Sequence, residues 1–346
     1  MDDLRPPADD RERPLDDPRR ALGEALHEIK RVIVGQDAML ERLLVSLLAG
    51  GHVLLEGVPG LAKTLTVKTL AEVVGGTFRR IQFTPDLVPA DLVGTRIYRP
   101  DTGRFDTELG PIFGNVVLAD EINRAPAKVQ SALLEVMQEH QVTIGGTTYA
   151  VPQPFLVLAT QNPIESEGTY PLPEAQVDRF LMKLLVDYPT PGEEAAVVGR
   201  SLGDAAETRQ RLDLADLERY AAAARHVLVD REVIGYAVSL ADATRRPAEH
   251  GLGDLAGMVE FGASPRGPIG LVHAARALAM LRGRGYVMAS DIRDLAPDCL
   301  RHRLVLSYDA LSEGVTADQI LQRVLDAVPE PDRARTGRDA ARADVA

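Results

Sequence analysis

Two short stretches carry residue types that could do phosphate chemistry: EGVPGLAKT at residues 56–64 and VVLADE at residues 116–121. The first follows the phosphate-binding order G-x-x-x-x-G-K-[ST]. Gly57, Lys63 and Thr64 match it, and Ala62 stands where the pattern has its second glycine. The loop of Gly57, Val58, Pro59, Gly60, Leu61 and Ala62, running into Leu65, would turn successive backbone amides and a helix N-terminus toward phosphates. Lys63 would reach the β- and γ-phosphates, and Thr64 would hold Mg²⁺. Alanine keeps its backbone N–H, so Ala62 removes no donor. It adds a methyl group and a preference for negative φ, which helical dihedrals at the helix start would make tolerable.

The second stretch is an apolar run ending in two acids. Adjacent carboxylates there are costly as plain structure. A metal or phosphate explains them; capping the next helix is the other use. Asp120 is expected to hold Mg²⁺, directly or through water, and Glu121 to polarise the attacking water as general base. Asn162 closes a further apolar run, FLVLATQN. Its amide could orient that water or touch the γ-phosphate, although asparagine also starts turns. Arg266 follows Ser264, which reads as an N-cap, and Pro265, which reads as a first helical residue. A cation in the first turn of a helix opposes the helix dipole by roughly 0.3–1 kcal/mol. An anion for it to serve would account for that.

These residues need elements to position them. Residues 52–56, 78–83, 115–121, 154–162 and 179–189 read as strands, and the first runs into the glycine loop and then a helix. Strands alternating with helices imply a parallel sheet with crossover connections. VTIGGTTYAV (142–151) and RIYRPDTGRFD (96–106) read as hairpins around glycine-bearing turns. After Pro191 the strand signals stop, and residues 214–228, 230–244, 267–283 and 290–304 have helical periodicity. The fold class is therefore α/β followed by a small all-α domain. The expected division is a charged, proline-rich disordered tail at 1–20, an α/β core at 21–189, a helical lid at 190–328 and a disordered tail at 329–346.

Composition narrows the function. The chain has 346 residues and a formal net charge of −12, which disfavours a duplex-DNA binder relying on bulk positive charge. Its single cysteine, Cys299, excludes an internal disulfide and a thiolate zinc site. No apolar run suggests a membrane span, and no signal peptide is seen at the N-terminus. The expectation is a soluble, cytoplasmic protein that binds no nucleic acid.

Taken together, GVPGLAKT, LADEINRAP, LATQNPIESEGTYPLPEAQVDRF and GASPRG resemble the MoxR group of AAA+ ATPases, over residues 33–306. Alanine in the phosphate loop also occurs in that family. The resemblance implies a five-stranded AAA+ core with two hairpin insertions and a helical lid. It implies a homo-oligomeric ring, usually a hexamer, and MgATP hydrolysis coupled to remodelling of a client. A partner carrying a von Willebrand factor A domain is common in the family. Ile33, Val34, Gly35 and Gln36 resemble the segment beside the adenine. Asn162 matches sensor 1, Arg179 the arginine finger reaching the neighbouring subunit, and Arg266 the sensor 2 arginine facing the phosphates from the lid. Arg124 is a second candidate to cross the interface, and Gln82 a candidate to couple Glu121 to client or nucleotide state. The family places both hairpins toward the ring pore or client face. Two alternatives stand beside this reading: a motor subunit of a chelatase-type or helicase-type machine, and a nucleotide-gated scaffold without turnover.

Overall fold

The computed structural model describes residues 17–58, 60–162, 168–203 and 207–331. The strands in chain order are β1 (Val53–Gly57), β2 (Phe78–Gln82), β3 (Gly94–Arg99), β4 (Arg104–Leu109), β5 (Val116–Asp120), β6 (Gln141–Ile144), β7 (Thr147–Ala150), β8 (Leu156–Gln161), β9 (Met182–Val186), β10 (Val259–Phe261) and β11 (Val305–Leu306). The helices are α1 (Pro18–Val32), α2 (Asp37–Ala49), α3 (Lys63–Val73), α4 (Pro89–Val93), α5 (Ala127–Glu139), α6 (Glu174–Val177), α7 (Pro191–Ser201), α8 (Leu214–Ala224), α9 (Arg231–Arg245), α10 (Arg266–Leu281), α11 (Ala289–Leu300), α12 (Tyr308–Ser312) and α13 (Ala317–Ala327).

The five core strands form one parallel sheet in the order β2-β5-β8-β1-β9. β1 lies between β8 and β9, so the loop after it opens at the carboxyl edge where strand order switches direction, the usual ligand edge of such sheets. Alternation along the strands feeds two apolar cores. Val53, Leu55, Leu118 and Leu158 face a core shared with α1, α2, α3 and the lid helices. Leu54, Val117, Ala119 and Val157 face a second core filled by Val129, Leu133 and Leu134 of α5. Burial on both faces explains why these strands read as continuous apolar runs.

Both expected hairpins form, β3–β4 and β6–β7, each antiparallel. The Tyr149 hydroxyl donates to Thr107 Oγ1 at 3.0 Å, joining one hairpin to the other. On the first hairpin Tyr98 and Phe105 pair across the strands at 5.2 Å and stay exposed.

The lid is helical, and β10 and β11 add a short antiparallel ladder to it. Runs of three and two residues carry too little alternation to have been read from sequence. The expected tail boundary at residue 20 does not hold. Asp17 Oδ1 accepts from the Arg19 amide at 3.1 Å and starts α1 at Pro18, so residues 18–20 are helical. Residues 1–16 and 332–346 lie outside the described residues. Cys299 is buried, which pushes its thiol up to about 12 and keeps it unreactive.

Charged contacts fasten the lid to the core. Arg42 of α2 is buried and donates to Asp298 at 3.0 Å and Asp294 at 2.8 Å on α11. Glu28 of α1 is likewise buried and accepts from Arg31 at 2.6 Å, Arg211 at 2.7 Å and the Arg209 amide at 3.2 Å. Those bonds, with Arg31 first, draw the Glu28 carboxyl from its ordinary 4.5 down to about 2. Because the folded value is the lower one, this stability is present above the ordinary carboxylate range and is lost as pH falls from 4.5 toward about 2. Glu28→Gln is expected to cost about 2–3 kcal/mol, less than a fully buried pair because both arginines keep access to water. It should also flatten the acid limb of a plot of melting temperature against pH. An unchanged acid limb would mean that Glu28 does not set it.

Candidate nucleotide site

β1 must end in glycine. A Cβ on Gly57 would stand 2.6 Å from the Val186 carbonyl of β9. The chain then turns through Gly60, at φ +89, and enters α3 at Lys63. Ala62 has φ 53 and ψ 21, so it is left-handed and not helical, and the expected tolerance through helical dihedrals does not hold. Its carbonyl accepts the Thr66 amide at 2.9 Å and Thr66 Oγ1 at 3.1 Å, so the turn into the helix is completed at a position where alanine is strained.

Among the described residues four non-glycines have positive φ: Gln36, Ala62, Glu121 and His140. Three of these are candidate nucleotide-site residues, and strain of this kind gathers at ligand sites. Ala62→Gly would relieve about 1–2 kcal/mol of left-handed strain and give back roughly 0.4–1 kcal/mol through the freer unfolded chain. The second offsets about half of the first. The expected result is a melting temperature within a few degrees of the parent and turnover within about fivefold, about 1 kcal/mol of barrier. A rise in turnover of several orders of magnitude would mark Ala62 as decay.

The loop opens into a depression of about 490 Å³, within the usual range for ligand sites of about 300–1,000 Å³. Gly57, Gly60, Leu61, Ala62, Lys63, Thr64 and Leu65 line one side, and Asp120, Glu121 and Asn162 the other. Residues distant in sequence meet because β5 and β8 end beside β1. Lys63 donates through Nζ to the Gly57 carbonyl. Burial lowers its pKa from the ordinary lysine value, while Asp120 and Glu121 oppose the shift.

Thr160 of β8 organises the acids. Its Oγ1 donates to Asp120 Oδ1 at 2.7 Å and accepts the Glu121 amide at 2.8 Å. Arg80 of β2 donates to Asp120 Oδ2 at 2.7 Å through Nη2. Gln82 Nε2 donates to Glu121 Oε2 at 2.9 Å, and Arg124 Nε lies 2.9 Å from the same oxygen. Arg124 is thus engaged by its own chain's Glu121. Arg80, Thr160 and Gln161 also line the depression, and the sequence reading did not single them out. A mid-strand threonine and an arginine on an edge strand carry no motif of their own.

The donor set fits a magnesium nucleotide. Thr64 offers a hydroxyl and Asp120 a carboxylate, a sparse protein set suited to Mg²⁺, which keeps waters and phosphate oxygens as its remaining ligands. No cluster of three or more His, Cys, Asp or Glu able to hold a metal occurs among the described residues.

Other expected site residues lie elsewhere. Val58 is not part of the lining, and Pro59 lies outside the described residues. Val34, Gly35 and Gln36 form the turn between α1 and α2, outside the depression. A Cβ on Gly35 would meet Glu193 of α7 at 2.2 Å, and Gln36 Oε1 is buried without a hydrogen-bond partner among the described residues.

Arg179 and Arg266 line a second depression, of about 260 Å³, together with Gly51, His52 and Asp178. Gly51 and His52 precede β1 whereas the phosphate loop follows it. The two depressions are therefore about 16 Å apart along the strand, at 3.3 Å per residue. Arg266, expected to face the phosphates from the lid, lies away from the phosphate loop of its own chain. The helix begins one residue later than expected, at Arg266, and its N-terminus is held to Asp178, at the end of α6. Ser264 Oγ donates to the Asp178 carboxylate at 2.9 Å, and Arg266 Nη1 lies 3.5 Å from Asp178 Oδ2. Within this chain, Asp178 is the anion that Arg266 serves. Arg179 is exposed and forms no ion pair or side-chain hydrogen bond among the described residues.

Comparison with known proteins agrees with this geometry. A family profile described as "ATPase family associated with various cellular activities (AAA)" matches residues 52–182, and one described as "AAA lid domain" matches residues 255–324. The chain is 57% identical over 310 residues to Chaperone MoxR1 of Mycobacterium tuberculosis, covering 90% of this chain and 82% of that one. It is 33% identical over 337 residues to Protein MoxR of Methylorubrum extorquens, covering 92% and 97%. A crystal structure of a candidate ATPase from Cytophaga hutchinsonii superposes with a TM-score of 0.86 at 48% identity, covering 91% of this chain and 96% of that one.

Proposed function

Because the chain belongs to the MoxR family of AAA+ ATPases, we propose that it hydrolyses MgATP as a homo-oligomeric ring, a hexamer, and uses the cycle to remodel or mature a client protein. The observation that carries this reading is the meeting of Lys63, Thr64, Asp120, Glu121 and Asn162 in one depression at the carboxyl edge of the sheet. The loop amides and Lys63 bind the phosphates. Thr64 and Asp120 hold the metal, which when bound neutralises charge on the phosphates. Glu121 takes a proton from the attacking water, and Asn162 orients that water. Val34, Gly35 and Gln36 serve the adenine end, where the unpartnered Gln36 oxygen offers an acceptor to an amine.

Arg179 and Arg266 act in the neighbouring subunit's site. Their distance from their own phosphate loop and the exposure of Arg179 support that assignment. The two hairpins, with Tyr98 and Phe105 exposed, face the client. The partner carries a von Willebrand factor A domain, and the protein works in the cytoplasm. No helix among the described residues is long and apolar enough to cross a membrane.

The test is Glu121→Gln. ATP should bind with near-parental affinity while phosphate release falls about 10²–10⁴-fold. Phosphate release by the parent protein that does not exceed the variant's would favour a nucleotide-gated scaffold instead. The stalled variant, held in ATP, is also the bait for client and partner.

A further inference from the structure

We infer that Arg303 is a positioning residue that sets Arg179 for its work in the neighbouring site; this rests on the shared-site reading above. Arg303 closes a short turn after α11, in the lid. Its side chain is 3% exposed, and four of its six hydrogen bonds go to one segment of the core, the other two reaching Cys299 and His302 beside it in the lid. Nε donates to Asp178 Oδ1 at 2.9 Å. Nη2 donates to the Phe180 carbonyl at 2.7 Å and the Asp178 carbonyl at 3.1 Å. Nη1 donates to the Leu181 carbonyl at 3.3 Å and also to the Cys299 carbonyl of its own helix. Bonds to residues 178, 180 and 181 bracket Arg179 on both sides.

A second lid element converges on the same place. Ser264 and Arg266, at the start of α10, reach the Asp178 carboxylate. His302, beside Arg303, lies 3.0 Å from the Phe180 carbonyl through Nε2. Residues 178–181 are therefore gripped by the lid from two directions, while the Arg179 side chain between them is exposed.

Burying a guanidinium costs several kcal/mol unless it is fully hydrogen-bonded, and apolar packing of the same volume often serves stability as well. What the guanidinium adds is geometry. Its planar fork of five donors fixes several acceptors at once, and lysine has no such fork. A finger must meet a transferring phosphoryl group to within a fraction of an ångström, and a misplacement of about 1 Å costs on the order of 10²-fold in rate. The lid supplies that precision, so the position of the lid in one subunit is carried to the active site of the next.

The test uses Arg303→Lys and Asp178→Asn, each mixed with a second variant in assemblies isolated through two different tags. Alone, each should bind ATP as the parent does and turn it over about 10–10²-fold more slowly. Arg303→Lys keeps its own phosphate loop and Glu121. Assemblies with Glu121→Gln subunits, which supply an intact finger, should therefore regain turnover. Assemblies with Arg179→Ala subunits should not, because both partners are poor finger donors. A residue that merely supports the fold would not produce this asymmetry. Parental turnover by Arg303→Lys, the reverse pattern of rescue, or loss of ATP binding with no rescue would overturn the inference. The control is Arg179→Ala with Glu121→Gln. If those assemblies stay inactive, the shared-site reading itself fails; if they recover, only the role of Arg303 is in question.

Discussion

Arg179→Ala is expected to bind ATP almost normally and to hydrolyse it about 10³–10⁵-fold more slowly, the usual worth of an arginine finger. The argument is one of missing charge. Within one chain, the cations in the phosphate depression are Lys63, which is bonded to the Gly57 carbonyl, and Arg80, which is paired with Asp120. Arg179 sits a strand length away, exposed, with no side-chain partner among the described residues. A solvated arginine at the rim of a depression can be presented to another subunit without breaking a described side-chain contact of its own chain. Arg80→Ala is the comparison that decides between sources. If Arg80→Ala abolishes turnover and Arg179→Ala does not, the stabilising charge comes from the same chain. If Arg179→Ala is the inactive one, it comes from the neighbour.

The phosphate loop and the paired acids were legible because both are local. A strand, a glycine turn and a helix are consecutive in sequence, and an apolar run ending in two acids needs only its own alternation and length. Their meeting was legible as well, since parallel strands with crossovers align their carboxyl edges. The handedness of Ala62 was not. Sequence gives the preference of alanine for negative φ but not the turn that overrides it.

The place of Arg266 was not legible for a different reason. Its helix is fixed by Ser264 reaching Asp178 and by Arg303 reaching the same carboxylate, contacts spanning 86 and 125 residues. A dipole argument shows that an anion is wanted and is silent on which one. Thr160 shows the same limit on a smaller scale. It organises both acids across two strands and is one threonine among many until the register is known. Helix α1 carried a readable sign that the charge of its neighbours obscured. Leu22, Ala25 and Ile29 fall on one face and are all buried.

Lys63→Ala should weaken ATP binding by about 10²-fold, roughly 3 kcal/mol, since it removes charge-assisted hydrogen bonds to phosphate worth about 1.5–3 kcal/mol each. The fold should survive. Lys63 stands at the first position of α3, and among the described residues its side chain bonds only the Gly57 carbonyl. Loss of the ammonium removes the loop's one cation from the neighbourhood of Asp120, Glu121 and Glu56, the groups that oppose the fall of its pKa. Metal-free nucleotide should therefore suffer more than MgATP, because in the latter the metal still offsets those carboxylates. The wild-type protein carries a pH signature of the same residue. Burial lowers the Lys63 pKa, so affinity for nucleotide should decline with rising pH earlier than an ordinary lysine would dictate, and Lys63→Ala should lack that decline. Calorimetric titration at several pH values reads both effects. Unchanged ATP affinity in Lys63→Ala would remove the loop after β1 from consideration as the phosphate site, and with it the role given to Thr64 and Asp120.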